Sequence, residues 1–166
     1  MKLVNGTETS DYLNFLDEWL SGLERGNLLS EKVSPKSIAV MVVDMTNGFC
    51  KQGALASPRI KAIIDPITHL MQQSWEAGVR NFFLLNDTHE PDAVEFESYP
   101  PHCIKGTVEA QPVDEIKALN FFDQMVVVEK NSISTDIHTT LEEHLDQLRD
   151  VTHFIVVGDC TDICVY

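Results

Sequence analysis

The stretch SIAVMVVD, Ser37 to Asp44, decides the fold. Its apolar residues run without polar alternation and stop at an acid. Such a run suits a central parallel strand covered on both faces. Three later stretches share the form. VRNFFLLND (Val79 to Asp87) ends in aspartate, QMVVVEK (Gln124 to Lys130) in lysine, and HFIVVGD (His153 to Asp159) leads into a loop carrying Cys160 and Cys164. The β-branched run from Thr152 to Val157 reads as a buried strand.

Helical patterns separate these strands. Pro58 through Ala77 predicts a helix with Ile60, Ile63, Ile64, Ile67, Leu70 and Met71 on one side, stopped by Gly78. Pro112 to Leu119 predicts a short helix, and Thr139 to Leu148 another, with the acids of TLEEHLDQLRD on its solvated face. Alternation of strand and helix predicts an α/β fold: a three-layer α/β/α sandwich with a parallel central sheet and right-handed crossovers. Upstream, Thr9 or Ser10 is placed to cap a first helix carrying Leu13, Leu16, Trp19, Leu20 and Leu23, which Gly26 ends. Residues 1–36 thus read as a helical extension and linker, and residues 37–166 as the main domain.

Composition narrows the function. Twelve basic and twenty-six acidic residues give a net charge of -14. No basic stripe exists to follow a phosphate backbone, so a nucleic-acid partner is not expected. No stretch is long and apolar enough to span a bilayer, and no leader-like segment opens the chain. Four cysteines in 166 residues do not form a disulfide scaffold. A cytoplasmic, reduced protein is expected. The spacing of Cys160 and Cys164 is not that of a CxxC redox site, and no second cysteine pair completes a zinc knot.

The strand ends carry the chemistry. In open parallel sheets the ligand crevice lies at the carboxyl ends of the strands. Asp44, Asp87, Lys130 and the loop with Cys160 and Cys164 therefore meet at one edge. A cysteine at a helix start, near an ammonium, is set up to be a thiolate. Lys130 supplies the ammonium, and Asp44 can shuttle a proton. Backbone N–H groups between Gly158 and Cys164 can hold an oxyanion. Together these describe acyl transfer through a thioester. The competing reading makes Cys164 a small buried core residue. Cys50 and Cys103 read as packing residues, and Trp75 as core. A second constellation lies in NDTHEPDAVEFESYPPHC. Asp87 and His89 alternate on extended chain, His102 returns after a loop, and Glu95 lies between. These donors suit zinc, iron or manganese.

These motifs resemble those of the isochorismatase-like cysteine hydrolases, and among them the plant-type nicotinamidases. VVDMTNGFC, NDTHEPDAVEF with YPPHCIKGT, VVEKNSIS and VVGDCTDICV carry the resemblance, which spans Ile38 to Val165. It implies a triad of Asp44, Lys130 and Cys164. It implies a cis peptide between Asp159 and Cys160, with the Cys160 and Cys164 amides forming the oxyanion hole. It implies Asp87, His89 and His102 as ligands of one divalent ion, zinc first among candidates, with Glu95 where some members place a carboxylate. Phe49 and Tyr99 match aromatic pocket walls. The implied reaction is hydrolysis of nicotinamide to nicotinate and ammonia, with the metal positioning the pyridine ring. Another small amide, or a catalytically silent metal-binding homologue, remains the alternative. A homo-oligomer is plausible for the family. Thr46 and Gly48 depart from a common Gln and Asp, and Tyr99 from a common Trp. The family continues past the nucleophile with a helix and usually a strand. With Val165 and Tyr166 alone following Cys164, the domain is expected to be truncated here.

Overall fold

The computed structural model describes residues 6–23 and 33–166, with the side chains of residues 6–9 left aside. These residues fall into two units, divided after Lys32. The first contains one helix, α1 (Gly6–Gly22). Thr9 and Ser10 lie inside it rather than at its cap, and it stops at Gly22. Gly26 is outside the described residues.

The second unit is built on four parallel strands: β1 (Ile38–Val43), β2 (Asn81–Asp87), β3 (Val126–Lys130) and β4 (His153–Gly158), in the order β3-β2-β1-β4. The chain steps outward from β1 through β2 to β3, then returns to the other side of β1. β1 is therefore the switch point, where a parallel sheet opens its crevice. All six β1 residues are buried, as the unbroken apolar run requires. β4 differs from expectation. Among the described residues it lies at the edge of the sheet, with Phe154 48% and Val156 43% exposed. An apolar run alone does not say which strand has neighbours on both sides.

Helices lie on both faces. The longest in this unit, α4 (Ile64–Glu76), buries Ile64, Ile67 and Met71 at helical spacing. Its Trp75 stacks on Phe121 at 4.5 Å, and Phe121 meets Phe82 of β2 at 5.1 Å. The opposite face gathers Ala39, Met41, Val43, Phe83, Leu85 and Val128, against which Leu141 and Leu145 of α6 (Leu141–Asp146) pack.

The helix expected over Pro58 to Ala77 is two helices, α3 (Pro58–Lys61) and α4. Pro66 has no N–H to offer the Ala62 carbonyl, so the chain restarts at Ile64. Ser57 caps α3 by accepting from the Arg59 amide at 3.2 Å. The helix expected over Pro112 to Leu119 shrinks to α5 (Asp114–Lys117), and the Val113 amide just before it donates to the Met45 carbonyl. A short helix, α2 (Asn47–Cys50), follows β1. Residues 161–164 form a turn.

Candidate active site

Asp44 leaves β1 with φ of +53°, a conformation unusual outside glycine. This turns its carboxylate across the ends of the strands. Oδ1 accepts from the Asp87 amide at 2.8 Å. Oδ2 lies 3.0 Å from Lys130 Nζ. Nζ also donates to Asp87 Oδ1. Three adjacent strands thus place Asp44, Asp87 and Lys130 side by side, each almost completely buried. Cys164 Sγ joins them, lying within 4.8 Å of a carboxylate oxygen of both Asp44 and Asp87.

Gly158 makes this convergence possible. A Cβ there would stand 2.0 Å from the Val43 carbonyl oxygen, and its φ is +129°. The close approach lets the Asp159 amide donate to that carbonyl. The Asp159–Cys160 peptide that follows is cis. Beyond it, the amides of Ile163 and Val165 both donate to the Cys160 carbonyl. The amides of Cys160 and Cys164 donate to no carbonyl among the described residues.

Burial dominates the electrostatics. Burial and the Asp87 charge push Asp44 up to about 6, against the pull of Lys130. For Lys130, burial pulls the other way, yet Asp44 and Asp87 outweigh it and hold the ammonium above its ordinary range. Asp87 sits below the usual carboxylate range: burial raises it, but the nearness of His102 and His89 and the Lys130 ammonium prevail. The Cys164 thiol is pushed up by burial and by Asp44, with Lys130 opposing. This reverses the sequence expectation of a lowered thiol, because the sulfur is buried and a carboxylate is adjacent. Cys160 is exposed, and partial desolvation of its thiol together with Asp159 moves it upward as well. Burial, Asp44 and Asp87 raise Asp159 to about 7.

The second constellation also assembles. The amide of His89 donates to the Cys103 carbonyl, and the Lys105 amide to the His89 carbonyl. This short parallel bridge lays the 102–105 segment beside the end of β2. His89 Nε2 then lies 3.4 Å from Asp87 Oδ2 and 3.9 Å from Glu95 Oε2. His102 Nε2 lies 3.6 Å from Asp87 Oδ2 and 3.7 Å from Glu95 Oε1. A tetrahedral zinc with arms of about 2.1 Å needs donors about 3.4 Å apart. The tetrad is close to that spacing before any ion draws it in. His89 Nε2 is buried with no hydrogen-bond partner, as an imidazole awaiting a metal would be. The residues fit a divalent ion held by nitrogen and oxygen donors.

Between the two constellations lies a pocket of about 190 Å³. Phe49 and Tyr99 line it, and Phe49 meets His102 edge-on at 5.4 Å. Sequence reasoning missed its apolar walls: Leu55, Ile60, Ile133 and Ile163. Leu55, Ile133 and Ile163 come from turns and bends with no periodicity to mark them, and Ile60 reads in sequence only as part of a helix face. The volume is below the range typical of drug-sized ligands and suits a single small ring. Thr46 and Gly48 have a local cause. The Cys103 sulfur lies 3.4 Å from Thr46 Oγ1, and a Cβ on Gly48 would stand 2.5 Å from that sulfur. Cys103 occupies the space a larger side chain at position 48 would need. Cys103 and Cys50 are both buried, and burial pushes each thiol up to about 12.

Comparison with known proteins agrees with this geometry. The isochorismatase domain model matches residues 38–166. Nicotinamidase 1 of Arabidopsis thaliana is 30% identical over 143 residues, covering 78% of this chain and 57% of that protein. The chain thus spans little more than half of that relative's length. A probable inactive nicotinamidase of the same plant is 25% identical over 142 residues, covering 78% of this chain and 69% of its own. Among solved structures, the pyrazinamidase of Pyrococcus horikoshii in complex with zinc shares the fold, with a TM-score of 0.66 and 24% identity over 78% of this chain and 74% of that one. With its parallel sheet, its strand-end residues and a family match across residues 38–166, the chain belongs to the isochorismatase domain family.

Proposed function

We propose that this chain is a metal-dependent amidohydrolase that converts nicotinamide to nicotinate and ammonia through a thioester on Cys164. The observation that carries the reading is the small pocket set between two buried groups, the Asp44–Lys130–Cys164 cluster and the Asp87–His89–Glu95–His102 tetrad.

The tetrad would hold one divalent ion, zinc in the first instance, which when bound orients a ring nitrogen and so fixes the carboxamide. The chain's own groups do the rest. Asp44 takes the proton from Cys164 Sγ, and the sulfur attacks the carboxamide carbon. The Cys160 and Cys164 amides hold the oxyanion. Asp44 passes the proton to the departing nitrogen, and ammonia leaves. Asp44 then takes a proton from water, whose oxygen attacks the thioester carbon. The C–S bond breaks, nicotinate forms and the proton returns to sulfur. An acid near 6 suits both directions of transfer close to neutral pH. Lys130 keeps Asp44 from rising further and steadies the negative sulfur. Burial and the Asp44 carboxylate both raise the thiol, so its proton passes to Asp44 in the course of the attack.

The test is ammonia release from nicotinamide, with and without a chelator. Release that the chelator abolishes and zinc restores supports both halves of the site. No release from folded, metal-loaded protein would remove nicotinamide as substrate. A second reading, a silent metal-binding homologue, is favoured by the raised thiol and by the relative whose name marks it as probably inactive. A thiol unreactive toward alkylating reagents beside normal zinc content would select it. The enzyme reading carries a cytoplasmic homo-oligomer acting on a small amide. No helix among the described residues is long and apolar enough to cross a membrane.

A further inference from the structure

We propose that Asn131 is a positioning residue for the metal centre, acting by fixing the tautomer and the orientation of His89. This rests on the tetrad being a metal site and not on nicotinamide being the substrate.

The argument starts from an amide whose two ends look alike. Asn131 follows Lys130 directly, where β3 ends. The Thr88 amide donates to the Lys130 carbonyl, which ties the end of β2 to the end of β3 and sets Asn131 beside His89. Asn131 Oδ1 lies 3.0 Å from the Glu90 backbone nitrogen and 3.2 Å from His89 Nδ1. A backbone N–H can only donate. The Asn131 atom facing Glu90 is therefore the carbonyl oxygen and not the amide nitrogen. That same oxygen faces His89 Nδ1, so Nδ1 must carry the proton. The lone pair is left on Nε2, the atom that lies 3.4 Å from Asp87 Oδ2 and has no hydrogen-bond partner.

His102 is set in the same way by different means. Its Nδ1 lies 2.8 Å from the Pro100 carbonyl, which can only accept. Nδ1 donates there, and Nε2 again turns its lone pair inward. Both imidazoles thus present bare Nε2 atoms to one point, beside the carboxylates of Asp87 and Glu95. The Pro100 device is backbone and cannot be removed by substitution. The Asn131 device is a side chain and can be. Outer groups that fix a ligating histidine in this way typically govern metal affinity by tenfold or more.

The experiment compares wild type, Asn131→Leu and Asn131→Asp in the metal-free form, titrated with Zn²⁺ against a chromophoric chelator. Asn131 is exposed, so both variants are expected to fold, and unfolding of the metal-free proteins checks this. Leucine offers no acceptor, and its zinc affinity is expected to fall by about 10- to 100-fold. Aspartate keeps the accepting oxygen, and its affinity is expected to return to within about threefold of wild type. Three results would each overturn the proposal: a leucine variant that binds zinc as wild type does, an aspartate variant as weak as the leucine one, or a wild-type protein that takes up no zinc. No amide is present in the titration. Failure of the nicotinamide reading would leave these affinities untouched, and failure here would leave the thiol chemistry to be judged by ammonia release.

Discussion

Lys130→Met removes the ammonium lying between Asp44 and Asp87. The side chain of Lys130 is fully buried, and those of Asp44 and Asp87 are 1% and 2% exposed. At the observed 3.0 Å to Asp44, two unit charges attract by about 5.5 kcal/mol at an effective dielectric near 20. Burying the ammonium costs part of this, so the net loss is that of breaking a buried pair, about 3–5 kcal/mol. The consequence for Asp44 follows in sign. Its carboxyl already stands at about 6, with Lys130 among the groups pulling it down. Without Lys130 it rises further and holds its proton at neutral pH, so the base is lost with the stability. Urea denaturation at pH 7.5 measures the first effect. Adding Asp44→Asn to Lys130→Met removes a carboxyl that must otherwise take up a proton on folding and is expected to recover part of the loss, a coupling that a double-mutant cycle reads directly. A single variant less than about 1 kcal/mol below wild type, or a double variant no more stable than the sum of its parts, would refute the reasoning.

Other consequences are as concrete. Cys164→Ala is expected to cut ammonia release below about one ten-thousandth of wild type while zinc content stays the same; Cys160→Ala is expected to stay within about tenfold, since it removes an exposed sulfur and not an amide. Comparable losses in the two would reassign the nucleophile. The acidic limb of kcat/KM for nicotinamide is expected near the Asp44 value of about 6, falling as pH drops and the base gains its proton; a limb near the ordinary aspartate value of about 4 would exclude Asp44 from that role. Gly158→Ala drives a Cβ into the Val43 carbonyl oxygen and is expected to cost about 3 kcal/mol or more, a drop in thermal midpoint of at least about 6 °C. A midpoint within about 2 °C of wild type would show that the strand ends can separate without penalty.

The sheet was legible because a strand covered on both faces writes itself as an unbroken apolar run, and β1 is such a strand. Its edges were not. Phe154 and Val156 look as buried in sequence as Val40 and Val42, and the strand order alone separates them. One helix length failed where a single atom decided it: the missing N–H of Pro66 divides the run from Pro58 to Ala77. At the site, Asp44, Asp87 and Lys130 could be read as strand ends, and the structure brings them together. Asn131 could not, because its part depends on which end of an amide faces Glu90. The direction of the Cys164 shift was equally hidden. It follows from burial and from the nearness of Asp44, and neither is written in the spacing of two cysteines.

The strand order has a bearing on how the molecule comes to exist. Every pairing in the sheet joins residues far apart in the chain. Val40 pairs with Phe82 roughly forty residues on, and with Ile155 more than a hundred residues on. Such contacts repay the entropy of closing long loops late, and folding dominated by them is slow. The β1–β4 pairing closes the longest of these loops, and Gly158, Asp159 and Cys164 arrive with it. During synthesis the first three strands can find one another while the sulfur is still to be made. The active centre is therefore a product of the docking of β4, and the rate at which Cys164 becomes shielded from a thiol reagent during refolding is a clock for the β1–β4 pairing.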